Sequence, residues 1–262
     1  MKNIILLFLL NLSYSLFAQD TFQLAPPLLK YNSVFFINTT SVEIKFAQSG
    51  TSVHYLLDKR EPTRQDPVYT KPIAIKNNFT TLKAKAFGNK FHPSESVAVT
   101  FIKEGKSIQF VNQTSPNNKY PGAGVNTLID NKGGIEQLSS KTWMGYNCDT
   151  VVVTMGMAKI QTVNKVLINF LQSENNWIFL PEEVIINWLD NKTGSYRIFG
   201  HEKLFTTKET PGTQCNNQII TSKKRVRTNK ILINIVVKKI IPSWHAAAGK
   251  HAWMFIDEIK VY

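Results

Sequence analysis

Apolar and polar positions alternate in short runs along most of the chain, and no stretch of useful length carries a helical period. Ser41 to Phe46 (SVEIKF) alternates cleanly, as a half-exposed strand does. Val53 to Leu57, Ile73 to Ile75, Leu82 to Phe87 and Val97 to Ile102 read the same way, with turns at Ser49-Gly50 and Gly88-Asn89-Lys90. The pattern predicts a small antiparallel sandwich of about 75 residues. A turn-rich stretch, Glu104 to Gly124, separates it from a second set of runs. These are Val151 to Met155, Val163 to Leu171, Val184 to Leu189, Tyr196 to Phe199, Lys230 to Val237 and the strand ending at Tyr262. Seven or eight strands over about 155 residues suit a jelly-roll β-sandwich. The chain is therefore expected to be all-β, with a lead-in over residues 19–33, one sandwich over 34–104 and another over 105–262.

Some side chains can be assigned from this pattern alone. Trp188 shares a strand face with Val184 and Ile186, which predicts a core position. In the last strand Trp253, Phe255, Ile259 and Val261 share a face, and Asp257 interrupts it. A carboxylate amid a buried face must be neutralised by hydrogen bonds, a cation or a metal. The Lys223-Lys224-Arg225-Val226-Arg227 run is expected to be a solvated loop, or else a surface that meets sulfated or uronic glycans through its charge.

The first residues change the picture of where the protein works. Lys2, the apolar run Ile4 to Leu10 and a small residue, Ala18, before Gln19-Asp20 make a secretory signal over residues 1–18. The expected destination is secreted, periplasmic or cell-surface. A formal charge of +13 suits anionic glycans or surfaces, and export argues against nucleic acid. Two cysteines, Cys148 and Cys215, are too few for a disulfide scaffold, and the sequence leaves open whether they pair.

Candidate binding chemistry concentrates between Pro242 and Tyr262 (PSWHAAAGKHAWMFIDEIKVY). A loop of small residues between two indoles lets a ligand approach closely and offers flat apolar platforms. Trp244, His245 and Lys250 are the expected contacts, because a sugar's apolar face stacks on an indole while His or Lys donors reach its hydroxyls. Trp143 and Trp177, at predicted strand ends beside glycine and polar residues, are further candidate platforms.

Two resemblances extend this reading. Val53 to Asp58 (VHYLLD), Glu61-Pro62-Thr63, Tyr69, Pro72-Ile73 and Leu82 to Phe87 resemble the chitobiase/β-hexosaminidase C-terminal domain, although Lys59 and Arg60 replace that family's glycine and serine. That resemblance implies an immunoglobulin-like accessory module with no catalytic residue. Leu128-Ile129-Asp130, Trp143, Trp177 to Pro181 and Asp257-Glu258-Ile259 resemble a coagulation-factor type C, or discoidin-like, domain. The version at the C-terminus of bacterial family 20 β-hexosaminidases is the most similar, with a departure at Ala246-Ala247-Ala248. This second resemblance implies structural calcium held between Asp130 and Glu258. Discoidin-like domains bind sugars, lipids and proteins, so the resemblance does not fix the ligand. The expected partner is a glycan, such as one containing amino sugars.

Asp257-Glu258 is not expected to be a family 20 catalytic pair, since those carboxylates belong to an α/β barrel that this chain has no room to build. The expected function is an exported, non-catalytic glycan binder. The alternatives are an adhesive or structural envelope protein that meets protein partners, and a detached accessory region of a family 20 β-hexosaminidase. Exposed aromatics at the loop end would favour glycan binding, and buried ones a scaffold.

Overall fold

The structure, a computed structural model, describes residues 22–138, 141–204 and 210–262. The expected signal segment lies outside the described residues. Seven strands build the first sandwich: β1 (Leu28–Lys30), β2 (Phe35–Phe36), β3 (Thr40–Lys45), β4 (Thr51–Leu56), β5 (Ile73–Ile75), β6 (Thr80–Gly88) and β7 (Val97–Lys103). One sheet has the order β1-β3-β5 and the other β2-β7-β6-β4. The alternation read from the sequence is what closes its core. Val42 and Ile44, Ile73 and Ile75, Leu82, Ala84 and Ala86, and Phe101 are all buried in one cluster. The lead-in departs from expectation, because β1 pairs with β3 as an added edge strand. Its side chains are mostly exposed, so only backbone bonding marks it as strand.

The second sandwich contains β8 (Gln109–Gln113), β9 (Met144–Tyr146), β10 (Thr150–Gln172), β11 (Glu183–Asp190), β12 (Ser195–Lys203), β13 (Gln214–Val236) and β14 (Met254–Val261). One path of hydrogen-bonded strands runs β12-β11-β13-β10-β14-β9, with β8 added beside β10. At about 3.3 Å per residue, strands as long as β10 and β13 cannot lie flat in a domain of this size. They change partners midway instead. Thr150 to Gly156 pairs with the C-terminal arm of β13, whereas Gln161 to Gln172 pairs with its N-terminal arm. Only the first arm of β10 meets β8, and only the second meets β14. The two strands expected at Val151 to Met155 and Val163 to Leu171 are thus the arms of one strand. Their inward residues, Val151, Val153 and Met155 with Val166, Ile168 and Phe170, share the main core.

Two expectations about faces are corrected here. The Lys223 to Arg227 run lies within strand β13 rather than a loop: residues 214–221 and 226–228 pair with the second arm of β10, and residues 222–225 form a bulge between them. In β14, Asn169 pairs with Glu258 and Phe170 with Ile256, which leaves Asp257 as the extra residue of a bulge. A bulge inverts the alternation. Met254 and Ile256 therefore join Ile259 and Val261 in the main core, while Phe255 turns into a satellite cluster with Trp143, Leu171 and Ile178.

The two sandwiches share a packed seam of Val34, Phe35, Ile102 and Leu167. The Ser33 hydroxyl donates to the Gly133 carbonyl at 3.1 Å, and the Tyr262 hydroxyl to the Lys103 carbonyl at 2.8 Å. The Lys260 ammonium lies 5.0 Å from the centre of the Phe35 ring. Gly134 makes this approach possible: its φ is +64°, and a Cβ there would stand 1.9 Å from Val34 Cγ2. Both cysteines are free thiols.

Candidate functional site

One end of the second sandwich gathers two segments that are far apart in sequence. The first is a short turn at Glu174–Asn176, between β10 and β11, ended by Trp177 in the left-handed conformation at φ 64°. That conformation costs a bulky side chain of order 1–3 kcal/mol and persists only where its surroundings impose it. Here the Trp177 N–H donates to the Glu174 carbonyl at 2.7 Å, and its own carbonyl accepts from the Trp253 N–H at 2.8 Å. The indole is left 41% exposed.

The second segment is the small-residue loop before β14. Reciprocal bonding of Ile241 with Lys250 and Gly249 closes its neck, and turns at Pro242–His245 and His245–Ala248 fold it compactly. Small residues are needed because Ala247 packs inward against Phe179, Ile241 and Ala252. Trp244 sits over this plug, its ring 6.2 Å from that of Phe179, and remains 38% exposed. Lys250 is exposed on the same loop.

His245 does not act as expected. Its Nδ1 accepts the Ala247 N–H at 2.9 Å, so the ring proton is on Nε2, which donates to the Glu174 carbonyl at 3.0 Å. Both nitrogens are consumed inside the protein, and no donor is left for a sugar hydroxyl. The residue instead ties the loop to the Trp177 turn through one shared acceptor. The Glu174 side chain is itself fully buried, accepting from Gln172 at 2.8 Å and from the Thr210 N–H at 2.7 Å. Sequence reading missed Glu174 and Phe179 as supports of this end. The decisive group on Glu174 is a backbone carbonyl, which no side-chain pattern announces.

Trp143 is also reassigned. It is 1% exposed, its Nε1–H donates to the Ile135 carbonyl at 3.0 Å, and it packs in the satellite cluster. The indole is core and offers no face to a ligand. Trp253 is half-buried beside it, edge-on to Tyr120 at 5.2 Å.

The carboxylate corner lies elsewhere, against the first sandwich. Asp257 is completely buried, accepting from the Gly134 N–H and the Asn169 side-chain amide, each at 2.6 Å. Burial pushes its carboxyl well above the usual range, the two hydrogen bonds only partly opposing this. Glu258 is 1% exposed; burial likewise pushes it up, to about 7. Its Oε2 accepts from the Asn131 N–H at 3.0 Å, and its Oε1 faces the Lys260 ammonium at 3.3 Å. Lys260 also donates to the Asn131 side chain, and burial lowers its pKa. Asp130 accepts from the Lys132 N–H at 2.9 Å.

Calcium needs six to eight oxygens around one point. What faces Glu258 here is a set of donors, two backbone or ammonium N–H groups, and the charge opposite it is the chain's own Lys260. Among the described residues, no three His, Cys, Asp or Glu side chains gather as a metal site. The residues do not fit the expected cation.

No curated protein matches the chain. Several solved structures resemble part of it. The family 32 carbohydrate-binding module of Streptococcus pneumoniae EndoD is 14% identical, with a TM-score of 0.40, over 60% of this chain and 96% of that one. The family 32 module of Clostridium perfringens NanJ, solved with galactose, is 15% identical, with a TM-score of 0.38, over 59% and 92%. Chitosan-binding module 1 from a Paenibacillus sp. IK-5 chitosanase/glucanase is 16% identical, with a TM-score of 0.36, over 61% and 96%. For the first sandwich, residues 32–99 match the family model of the chitobiase/beta-hexosaminidase C-terminal domain.

Proposed function

We propose that the protein is an exported, non-catalytic glycan-binding protein whose ligand rests on Trp244 and Trp177. The observation that carries this reading is the pair of half-exposed indoles, 38% and 41%, held at one end of the second sandwich. The segments bearing them are tied together through the Glu174 carbonyl. An indole costs free energy to leave in water, and a sugar ring offers a matching apolar face while its hydroxyls stay solvated. Lys250, exposed on the same loop as Trp244, is a donor that can meet those hydroxyls. A scaffold would have buried these rings, as it buries Trp143. The non-catalytic part of the reading is supported by the acidic pair: Asp257 and Glu258 are sealed from solvent and engaged by internal donors.

The test is a glycan array with the mature protein, followed by titration calorimetry on the best ligand with wild type and Trp244→Ala. The variant is expected to lose about 5- to 150-fold in affinity, roughly 1–3 kcal/mol, with its melting temperature nearly unchanged. Binding of equal strength in the variant, or no glycan bound by wild type, would overturn the assignment.

A further inference from the structure

Trp188 packs against the main core as the alternation predicts, yet it is only partly buried. It lines a cavity of about 610 Å³ at the β12–β13 side of the second sandwich, away from the tryptophan-bearing loops. Phe199 and Val226 complete an apolar floor with Trp188, and Arg197, Lys223 and Lys224 are the cations around it. Two consecutive strand residues ordinarily point to opposite faces. Here they line the same cavity because the ladder is broken: Lys165 pairs with Thr221 and Val163 with Val226, so residues 222–225 bulge out opposite Asn164 alone. Bulges of this kind re-aim side chains and are over-represented next to functional sites.

The charge there is not internally balanced. Arg197 is held by Asp190 at 2.8 Å. Among the described residues, Lys223, Lys224, Arg225 and Arg227 join no ion pair. Like charges gathered without a counter-charge repel one another, and they raise the local concentration of anions. The volume falls within the range of small-molecule clefts, about 300–1,000 Å³. A recessed indole floor admits a ring, which a bilayer surface or a nucleic-acid duplex could not bring down to it.

We infer that this groove is a second, independent carbohydrate site, specific for a glycan bearing sulfate or carboxylate groups. One sugar ring lies against Trp188, and its anionic substituents meet Lys223, Lys224 and Arg197. The experiment is calorimetry on the mature chain with a heparin oligosaccharide, an oligogalacturonate and a 20-base-pair DNA duplex. Trp188 supports the core, so the variant used is Lys223→Gln with Lys224→Gln, on exposed side chains. A control pair, Lys76→Gln with Lys90→Gln, removes the same charge from exposed positions of the first sandwich.

At least one anionic oligosaccharide is expected to bind, with affinity falling tenfold or more in the groove variant and less than twofold in the control. Trp244→Ala should retain this binding, which separates it from the loop-end site. The salt slope of log K should shrink in the groove variant, since two cations no longer meet the ligand. Failure of both oligosaccharides to bind, equal loss in the two double variants, or a duplex bound as tightly as the sugars would each overturn the inference.

Discussion

His245 and Glu174, 71 positions apart, are joined by a ring nitrogen and a main-chain oxygen at 3.0 Å. The contact fixes the height of one tryptophan-bearing segment against the other. Replacing His245 with Ala leaves the Ala247 N–H without its acceptor and removes the strut. A loss of about 1–2 kcal/mol in unfolding free energy is expected, together with weaker glycan binding, although both His245 nitrogens are bonded within the protein. Gln, which can accept and donate from one side chain, should recover part of both. Denaturant titration of the two variants checks this, and an Ala variant as stable as wild type would count against the strut.

Trp177 separates platform from backbone in a single substitution. At φ 64° the left-handed conformation is natural for Gly and strained for an indole. Trp177→Gly should therefore keep or raise the melting temperature while lowering glycan affinity. A variant that melts much lower would show that the ring's packing outweighs the strain.

Much of the fold was legible because one face of most strands is buried. Val42/Ile44, Ile73/Ile75 and Leu82/Ala84/Ala86 carry the alternation that the first core uses directly. Residues 214–228 were not legible as strand, since their side chains are largely polar and what holds the stretch is backbone pairing of 214–221 and 226–228 with β10. The face of the last strand was misjudged at one residue, because a bulge at Asp257 adds a backbone step that no composition signals. Trp244 and Trp177, both named from the sequence, are exposed at one end of the second sandwich. Their support by His245, Glu174 and Phe179 depends on contacts between distant segments.

Asp257 should make stability depend on pH. An acid whose folded pKa is raised binds its proton more tightly when folded. Its contribution is complete below the unfolded value of about 3.9 and is lost as pH rises through the folded one. Asn169 Oδ1 has no hydrogen-bond partner. In Asp257→Asn, the new amide can accept from Gly134 and, with the Asn169 amide reversed, donate to that oxygen. The variant should gain on wild type as pH is raised from the unfolded value through the folded one. Melting curves across that range check it, and a difference independent of pH would contradict it.

The Lys260 ammonium stands where a metal would otherwise be needed. Melting curves in chelator and in calcium should superimpose, and a calcium-dependent rise would restore the oxygen-cage reading of Asp130 and Glu258. Lys260→Met should destabilise by about 3–5 kcal/mol, since it strands a buried carboxylate. Adding Glu258→Gln should recover most of that loss.

Free thiols at Cys148 and Cys215 predict that reducing agent leaves the melting temperature unchanged. Burial pushes both thiols up, so modification of the folded protein at neutral pH should be slow. A thiol assay on unreduced, denatured protein should count two, and a count of zero would indicate a bridge.

The contact of Lys260 with Phe35 spans 225 positions, from 35 to 260. Closing so long a loop costs chain entropy before any packing repays it, and such contacts slow folding. The first sandwich can close on contacts among residues 24–101 alone, whereas the second completes its seam only after β14 has returned across the whole chain. Folding should then proceed in two stages, the N-terminal one leading. All five tryptophans, at 143, 177, 188, 244 and 253, lie in the later-forming part. Their fluorescence follows the slow stage, and the seam at Phe35 becomes a timer for when the loop end carrying Trp177 and Trp244 first exists.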